Sequence, residues 1–421
     1  MHRKIRASFS QIPLLGWLFG ALIVSVLERL VGNPLALALG LRKIPALFGF
    51  LIMLKKPVLI PNAILYVLLI YVIPAGIAMR FCIPLANRLA AGLFRFPRGI
   101  TVAFYLALLY AVLHVWGEVS DYRILVLKLT LIAIMVTLSL NVINGYMGEF
   151  SCSHPGFMAL GAYCASVFTV GLFVNDRFFG DAFLPPALGP FLFPVALVLG
   201  GFLASFGALA VAIPSFRTRG DYLAIISLAF MFIVKSLLEN LEFVRGPRGL
   251  SGQPDLANLP TVFLWTAICV WSINNFVRST IGKALNAVRD NEMAADAMTV
   301  DTRRTKIVAF LFSAFWAGVA GGLFAHVLRY VNPSTFGIQK LAEVLAMVYF
   351  GGLNSVYGSI VGAVSISLLG EALRPLEIFK WIIIPLLLIL VMIYRPTGLV
   401  AFREFDVTNL IKPKQRSDEE G

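Results

Sequence analysis

The side chains that could do chemistry fall in two polar stretches set between apolar runs. In the first, Asn141, Asn144, Ser151, Ser153 and His154 supply hydrogen-bond donors and acceptors, while Gly145, Gly148, Pro155 and Gly156 interrupt any helix carrying them. A helix broken inside a membrane frees backbone polar groups, which are tolerated only when packed in protein or lining a wet cavity. The chemistry offered is solvation of a polar solute in transit, not bond making. An ordinary turn with helix caps would use the same residue types. The second stretch runs from Arg278 to Lys306. Ile281, Leu285, Val288 and Ala295 recur at helical steps and line one stripe, with Lys283, Asn286, Arg289 and Asp296 off it. Glu292 stands inside the stripe, where an acid needs a cation or a helix N-terminus to meet it. Ala294, Ala295 and Ala297 let another surface approach closely, and Asp301 is placed to cap the next helix. Two readings stand: charges that only hold topology, or a short helix that docks on a partner and carries force into the membrane.

No catalytic constellation accompanies them. The chain has no Ser/His/Asp set, no carboxylate cluster and no phosphate loop of the G-x-x-x-x-G-K-[ST] kind. Cys82, Cys152, Cys164 and Cys269 lack paired spacing and read as reduced packing residues. His2, His114, His154 and His326 are too scattered for a metal site. No metal, no cofactor and no enzymatic activity is expected, so uphill transport would draw on an ATPase partner or an ion gradient.

The elements that must position these stretches are membrane spans. Of 421 residues, 59% are hydrophobic and 14% charged, with mean hydropathy +0.86, which excludes a soluble domain of this length. Apolar runs at Leu14–Val31, Val58–Met79, Thr101–Trp116, Ile124–Ile143, Phe157–Phe173, Ala187–Ile213, Tyr222–Leu238, Val262–Phe276, Ile307–Val327, Leu341–Gly351, Tyr357–Leu369 and Trp381–Tyr394 predict an all-α, polytopic helical membrane protein. At roughly 20 residues per span they amount to about 10–12 membrane segments. Residues 33–56, broken by Pro34, Pro45 and four bases, read as interfacial. The net charge of +13 is uneven: residues 1–100 hold twelve Lys or Arg and one acid, Glu28. Bases flanking apolar spans point to topology and anionic lipid rather than nucleic acid. The positive-inside bias puts the loops with Arg217/Arg219 and Arg303/Arg304, and both termini, in the cytoplasm. The chain then divides into an N-terminal extension over 1–100 with about two spans, a core over 101–400 and a polar tail over 401–421.

Several motifs resemble those of bacterial ABC-importer permeases. Glu292-Met-Ala294-Ala295 is similar to their "EAA" coupling loop, most closely in the LivM type of branched-chain amino-acid permease. That family has Gly where Thr299 stands, and Thr tolerates a left-handed helix-closing conformation poorly. Asn141, Gly145, Gly148, Ser151, His154, Phe157, Gly161, Ala162 and Tyr163 match the run N-x-x-x-G-x-x-G-x-x-S-x-x-H-x-x-F-x-x-x-G-A-Y, with Glu149 in place of a common Gln. Arg219-Gly220-Asp221-Tyr222-Leu223-Ala224-Ile225 resembles the family's R-G-D-Y-L-A-I signature; Asp221 would also serve as a plain helix cap. An acid common in the family a few residues on is replaced by Met231–Phe232. Gly246-Pro-Arg-Gly249-Leu250 is similar to an external G-G-x-x-G-[IL] loop, and equally to a Gly/Pro turn. Gly351-Gly352-Leu353-Asn354-Ser355 and Tyr394-Arg395-Pro396-Thr397-Gly398 complete a resemblance over roughly residues 120–400.

The resemblance implies a fold of the LivH/LivM/ribose-permease type and a permease subunit importing Leu, Ile or Val across the bacterial inner membrane. It implies as partners two ATP-binding subunits, a LivH-like sister permease and a periplasmic solute-binding protein. Arg289, Glu292, Ala294, Ala295, Thr299 and Arg303 would couple to the ATPase. Asn141, Gly145, Gly148, Ser151, His154 and Phe157 would line the translocation path. Gly220, Asp221 and Tyr222 would cap a helix, and Gly246 and Gly249 would face the binding protein. Urea or short amides are the alternative cargo. An ion-coupled carrier is the alternative mechanism; it needs intramembrane acids, for which only Glu343 and Glu371, near span ends, are candidates.

Overall fold

The computed structural model describes residues 12–41, 44–45, 59–175, 180–216, 222–395, 398–400 and 406–412. The architecture is all-α. Among the described residues, nine helices are long and apolar enough to cross a bilayer, and Phe81–Leu93, Val356–Ala372 and Ile382–Tyr394 are shorter apolar helices. These helices carry large apolar side chains on their exposed faces as well as their buried ones: Phe191, Phe202 and Phe206 stand outward on a single helix. A helix apolar on every side suits hydrocarbon, not water.

The chain forms two compact units. One comprises Met1–Leu127, Glu371–Pro375 and Asp406–Gly421; the other comprises Lys128–Gly370 and Leu376–Phe405. In the first, α1 (Leu14–Ala38) packs on α3 (Ile73–Leu93) and α4 (Arg98–Gly117). Helix α2 (Ile60–Val67) runs into α3 through a π-helical turn, Leu68–Val72. Leu15, Ala86, Ala90, Tyr105 and Ile411 form one apolar cluster, and Ala36, Leu41, Tyr66 and Ile70 another. The structure departs from the sequence expectation here. Helix α1 continues through Pro34 to Ala38, so the beginning of the segment assigned to the interface is helical; residues 42–43 and 46–58 of it lie outside the described residues. Helix α3 likewise carries on past Met79 to Leu93.

Glu28 is a second departure. It lies within α1, is fully buried, and belongs with Glu343 and Glu371 as an acid inside a helix. Arg123, equally buried, holds it by two parallel bonds, Nη1 to Oε2 at 2.9 Å and Nη2 to Oε1 at 2.8 Å. Tyr66 and Tyr71 donate their hydroxyls to the same carboxylate, Arg123 Nη2 also donates to the Pro45 carbonyl at 3.1 Å, and the guanidinium lies 4.7 Å from the Trp116 ring centre. A buried carboxylate survives only when its lone pairs are met this fully.

The second unit is built on three mutually packed helices, α6 (His154–Phe173), α7 (Gly189–Ser215) and α12 (Thr302–Leu328). Their backbones approach so closely that a Cβ on Gly161 would collide with the carbonyl of Gly318. Small residues at the contact are what allow helices to pack in lipid without a hydrophobic driving force. Around this core stand α5 (Asp121–Asn141), whose first turns belong to the other unit, α8 (Tyr222–Asn240), α9 (Leu259–Arg278), α13 (Ile338–Gly351), α14 (Val356–Ala372) and α15 (Glu377–Tyr394). A short antiparallel ladder pairs β1 (Leu250–Ser251) with β2 (Tyr330–Val331).

Candidate functional site

The first polar stretch is a broken helix inside the protein. Helix α5 ends at Asn141 and loosens into a π-helical turn, Val142–Met147. Gly148 then takes φ 77°, residues 149–153 run without helix, and α6 restarts at His154 with Pro155 in its first turn. Asn141 through Met147 and Ser151 through Phe157 are all buried. Several polar groups of the break are met by neighbours. Asn141 Nδ2 donates to the Ser355 carbonyl at 3.0 Å and to Ser359 Oγ at 2.7 Å, while its Oδ1 accepts from the Asn354 N–H at 3.1 Å. Asn144 Oδ1 accepts from the Ser151 N–H, Ser151 and Ser153 hydroxyls lie 2.9 Å apart, and Ser227 Oγ accepts from the Cys152 N–H. His154 Nε2 lies 3.0 Å from Ser313 Oγ, whose proton goes to the Ser139 carbonyl at 2.6 Å. Ser313 therefore accepts, and Nε2 carries the imidazole proton. Phe157 packs fully buried among His154, Phe230 and Phe310. Burial pushes the Cys152 thiol up to about 11, and all four cysteines are free.

The second stretch is two helices rather than one. Ser279 caps α10 (Thr280–Asp290). At Asn291 the backbone extends to φ −161°, and its side chain accepts from the Ala294 N–H to open α11 (Glu292–Ala297). Leu285, Val288 and Ala295 are buried as the stripe requires, but Ile281 is exposed. Glu292 is not inside the stripe after all: the break at Asn291 turns it outward into the first turn of α11. There it has both partners an acid needs, a helix N-terminus and Lys306 Nζ at 2.9 Å. Thr299 closes α11 in the left-handed region at φ 66°. Its N–H donates to the Asp296 carbonyl and the Val300 N–H to the Ala295 carbonyl, the paired bonds of a Schellman cap. Asp301 accepts from the Arg304 N–H at 2.9 Å and opens α12. Ala294, Ala297, Arg303 and Arg304 are exposed, and Met293 and Met298 project at 82% and 77% exposure.

The two stretches touch. Helix α10 packs on the π-helical turn, and the alkyl stem of Arg289 lies over Gly148, where a Cβ would strike its Cγ. Arg289 Nη1 reaches the Gly145 carbonyl at 3.5 Å, while Nε and Nη2 hold Asp290. Lys306, in the first turns of α12 and only 8% exposed, pairs with Glu149 of the break as well as with Glu292. Neither Glu149 nor Lys306 is among the partners that the sequence pattern indicates for Glu292. The signal that could have joined them was a lone acid in one polar stretch and a lysine at the margin of the other.

The remaining candidates lie elsewhere. Tyr222 starts α8 and is exposed; Gly220 and Asp221 lie outside the described residues. Gly246 (φ 51°) and Gly249 (φ 74°) turn the loop ahead of β1. That loop is held by the ladder to β2 and by Tyr330, which donates its hydroxyl to the Arg248 carbonyl at 2.9 Å. The 246–251 loop and the 278–306 loop thus meet opposite ends of α12, whose 27 residues span about 40 Å. Among the described residues no three His, Cys, Asp or Glu side chains come together as metal ligands.

The family model described as "Branched-chain amino acid transport system / permease component" matches residues 122–393. Two LivM permease proteins of the high-affinity branched-chain amino acid transport system are similar. That of Escherichia coli K12 is 30% identical over 317 residues, 67% of this chain and 71% of its own. That of Salmonella typhimurium LT2 is 30% identical over 332 residues, 70% and 74%. The ribose import permease protein RbsC of Haemophilus influenzae is 25% identical over 209 residues, 45% of this chain and 62% of its own. No solved structure matches the chain.

Proposed function

Because this chain belongs to the branched-chain amino acid transport system permease component family, we propose that it is the membrane-spanning subunit of an ABC importer for Leu, Ile and Val. Two ATP-binding subunits, a sister permease and an external solute-binding protein complete the machine. The chain sits in the bacterial inner membrane with both termini in the cytoplasm. Residues 101–400 act as the permease core, 1–100 as an extension and 401–421 as a tail. Arg289, Glu292, Ala294, Ala295, Thr299 and Arg303 form the foot that an ATPase grips. The broken helix from Asn141 to Phe157 borders the path of the solute. Gly246 and Gly249 shape the outer loop that meets the binding protein, and Tyr222 opens α8.

The observation that carries this reading is the contact of α10 and α11 with the break: Arg289 over Gly148 and Lys306 shared by Glu149 and Glu292. Force applied to the foot has a short route to the polar segment through side-chain packing and ion pairs. The carried chemistry is conduction; hydrolysis belongs to the partner chains. An ion-coupled mechanism finds less support, because the buried acid Glu28 is already neutralised by Arg123.

Labelled leucine uptake in cells lacking only this gene, restored by a plasmid copy, tests the reading. Glu292→Ala and Ala294→Glu should each lower uptake severalfold while the protein still inserts in the membrane. Uptake at the wild-type level by both variants would sink the docking role. Restoration of urea, amide or ribose uptake with leucine unaffected would replace the cargo and keep the machine.

A further inference from the structure

Among the described residues, Lys306 is placed unlike the other bases of the 278–306 stretch. Arg303 and Arg304, on the same turns of α12, are exposed, whereas Lys306 is 8% exposed. Its ammonium lies 5.9 Å from the Phe216 ring centre and bonds to two carboxylates from different segments. Glu149 comes from the non-helical run of the break, and its side chain is 26% exposed; Glu292 comes from α11, and its side chain is 53% exposed. A buried ammonium needs a counter-charge at all times. One carboxylate would satisfy that need, so a second gives freedom. If α11 moves, Glu292 can leave into water while Glu149 still neutralises the lysine.

We propose that Lys306 is a positioning residue of the transport cycle: an ionic joint that ties the broken segment at Glu149 to α12 permanently and to α11 releasably, through Glu292. The inference rests on the permease reading above. Movement of the foot is passed to the break through this joint, with Arg289 over Gly148 as the second, apolar contact. Glu149 is the fixed partner because it is the more buried; Glu292 is the exchanging one. Loss of Glu149 therefore strands the break, whereas loss of Glu292 weakens only one position of the stroke.

The test uses the full complex with its ATP-hydrolysing subunits and binding protein in proteoliposomes, and reads leucine moved per ATP hydrolysed. Lys306→Met and Glu149→Gln should each lower that ratio at least tenfold. Glu292→Gln should lower it less than Glu149→Gln, and Lys306→Arg should stay within about threefold of wild type. A merely structural role would cut uptake and hydrolysis together and leave the ratio unchanged. A ratio within twofold of wild type for both Lys306→Met and Glu149→Gln overturns the joint, while the wild-type complex still coupling leaves the permease reading intact. A wild-type complex that hydrolyses ATP without moving leucine overturns that reading, and the joint with it. Should Lys306→Met fail to assemble, Glu149→Gln, which keeps the Lys306–Glu292 pair, decides; failure of both to assemble assigns the cluster to folding and overturns the proposal.

Discussion

Thr299 is a residue whose environment and chemistry disagree. It occupies the left-handed closing position of α11, where a Cβ crowds the following carbonyl at a cost of about 1–2 kcal/mol. Thr299→Gly should raise stability by about 1 kcal/mol, seen as a higher midpoint in thermal denaturation of the solubilised protein; an unchanged or lower midpoint would mean the strain is not there. Cys152 makes a second residue-scale prediction. Its thiol is raised to about 11 because burial disfavours the thiolate. In a variant with the other three cysteines replaced by Ser, alkylation should climb about tenfold per pH unit up to about 11, rather than level off in the usual thiol range. The linkage has the same sign: the unfolded thiol ionises first, so stability falls as pH rises from the ordinary thiol range towards the folded value. Both residue types were plain in the sequence. Their positions were not: a Thr advertises nothing about its φ, and a Cys next to two serines reads as polar surroundings until Ser227 and the break enclose it.

At the scale of the element, the break between α5 and α6 holds together through one side chain. Asn141 makes three hydrogen bonds to residues 354–359, on the turn before α14 and its first residues. Asn141→Leu keeps the volume and strands the Asn354 N–H, whereas the Ser359 hydroxyl keeps its bond to the Ser355 carbonyl. Leaving one such group unmet costs about 1–3 kcal/mol, so a loss of about 2 kcal/mol is expected in denaturant unfolding of the purified protein. A loss below about 1 kcal/mol would mean water replaces the amide. That a break exists was legible, because Gly145 and Gly148 weaken a helix and Pro155 favours the first turn of a new one. Its partner was not legible. The Gly351–Ser355 motif lies more than two hundred residues on, and only packing brings it to Asn141. The one helical stripe expected from Ile281 to Ala295 fails for a local reason: Asn291 caps a new helix instead of continuing the old one, as its side chain competes with the backbone for N–H groups.

At the scale of the whole molecule, each compact unit has its own means of holding helices together in lipid. The larger relies on close backbone approach among α6, α7 and α12. The smaller relies on the Glu28–Arg123 pair with Tyr66, Tyr71 and Trp116. Removing one partner of a buried pair is worse than removing both, because the survivor is left charged and unmet. Arg123→Met should therefore cost about 3–5 kcal/mol in unfolding experiments, and Glu28→Met in the same chain should recover most of it. Recovery of less than about 1 kcal/mol would mean that the guanidinium acts through Pro45 and Trp116 rather than Glu28.

The sequence by itself determined the span pattern, the two polar stretches and the family, because each depends on local composition and on motifs read in order. Hydropathy over some twenty residues decides insertion whatever the neighbours are. Tertiary structure alone decided which charges meet. Glu28 finds Arg123, and Glu149 shares Lys306 with Glu292, across separations that no periodicity encodes. A charge taken out of water must be paired, but which partner it takes depends on how the helices pack.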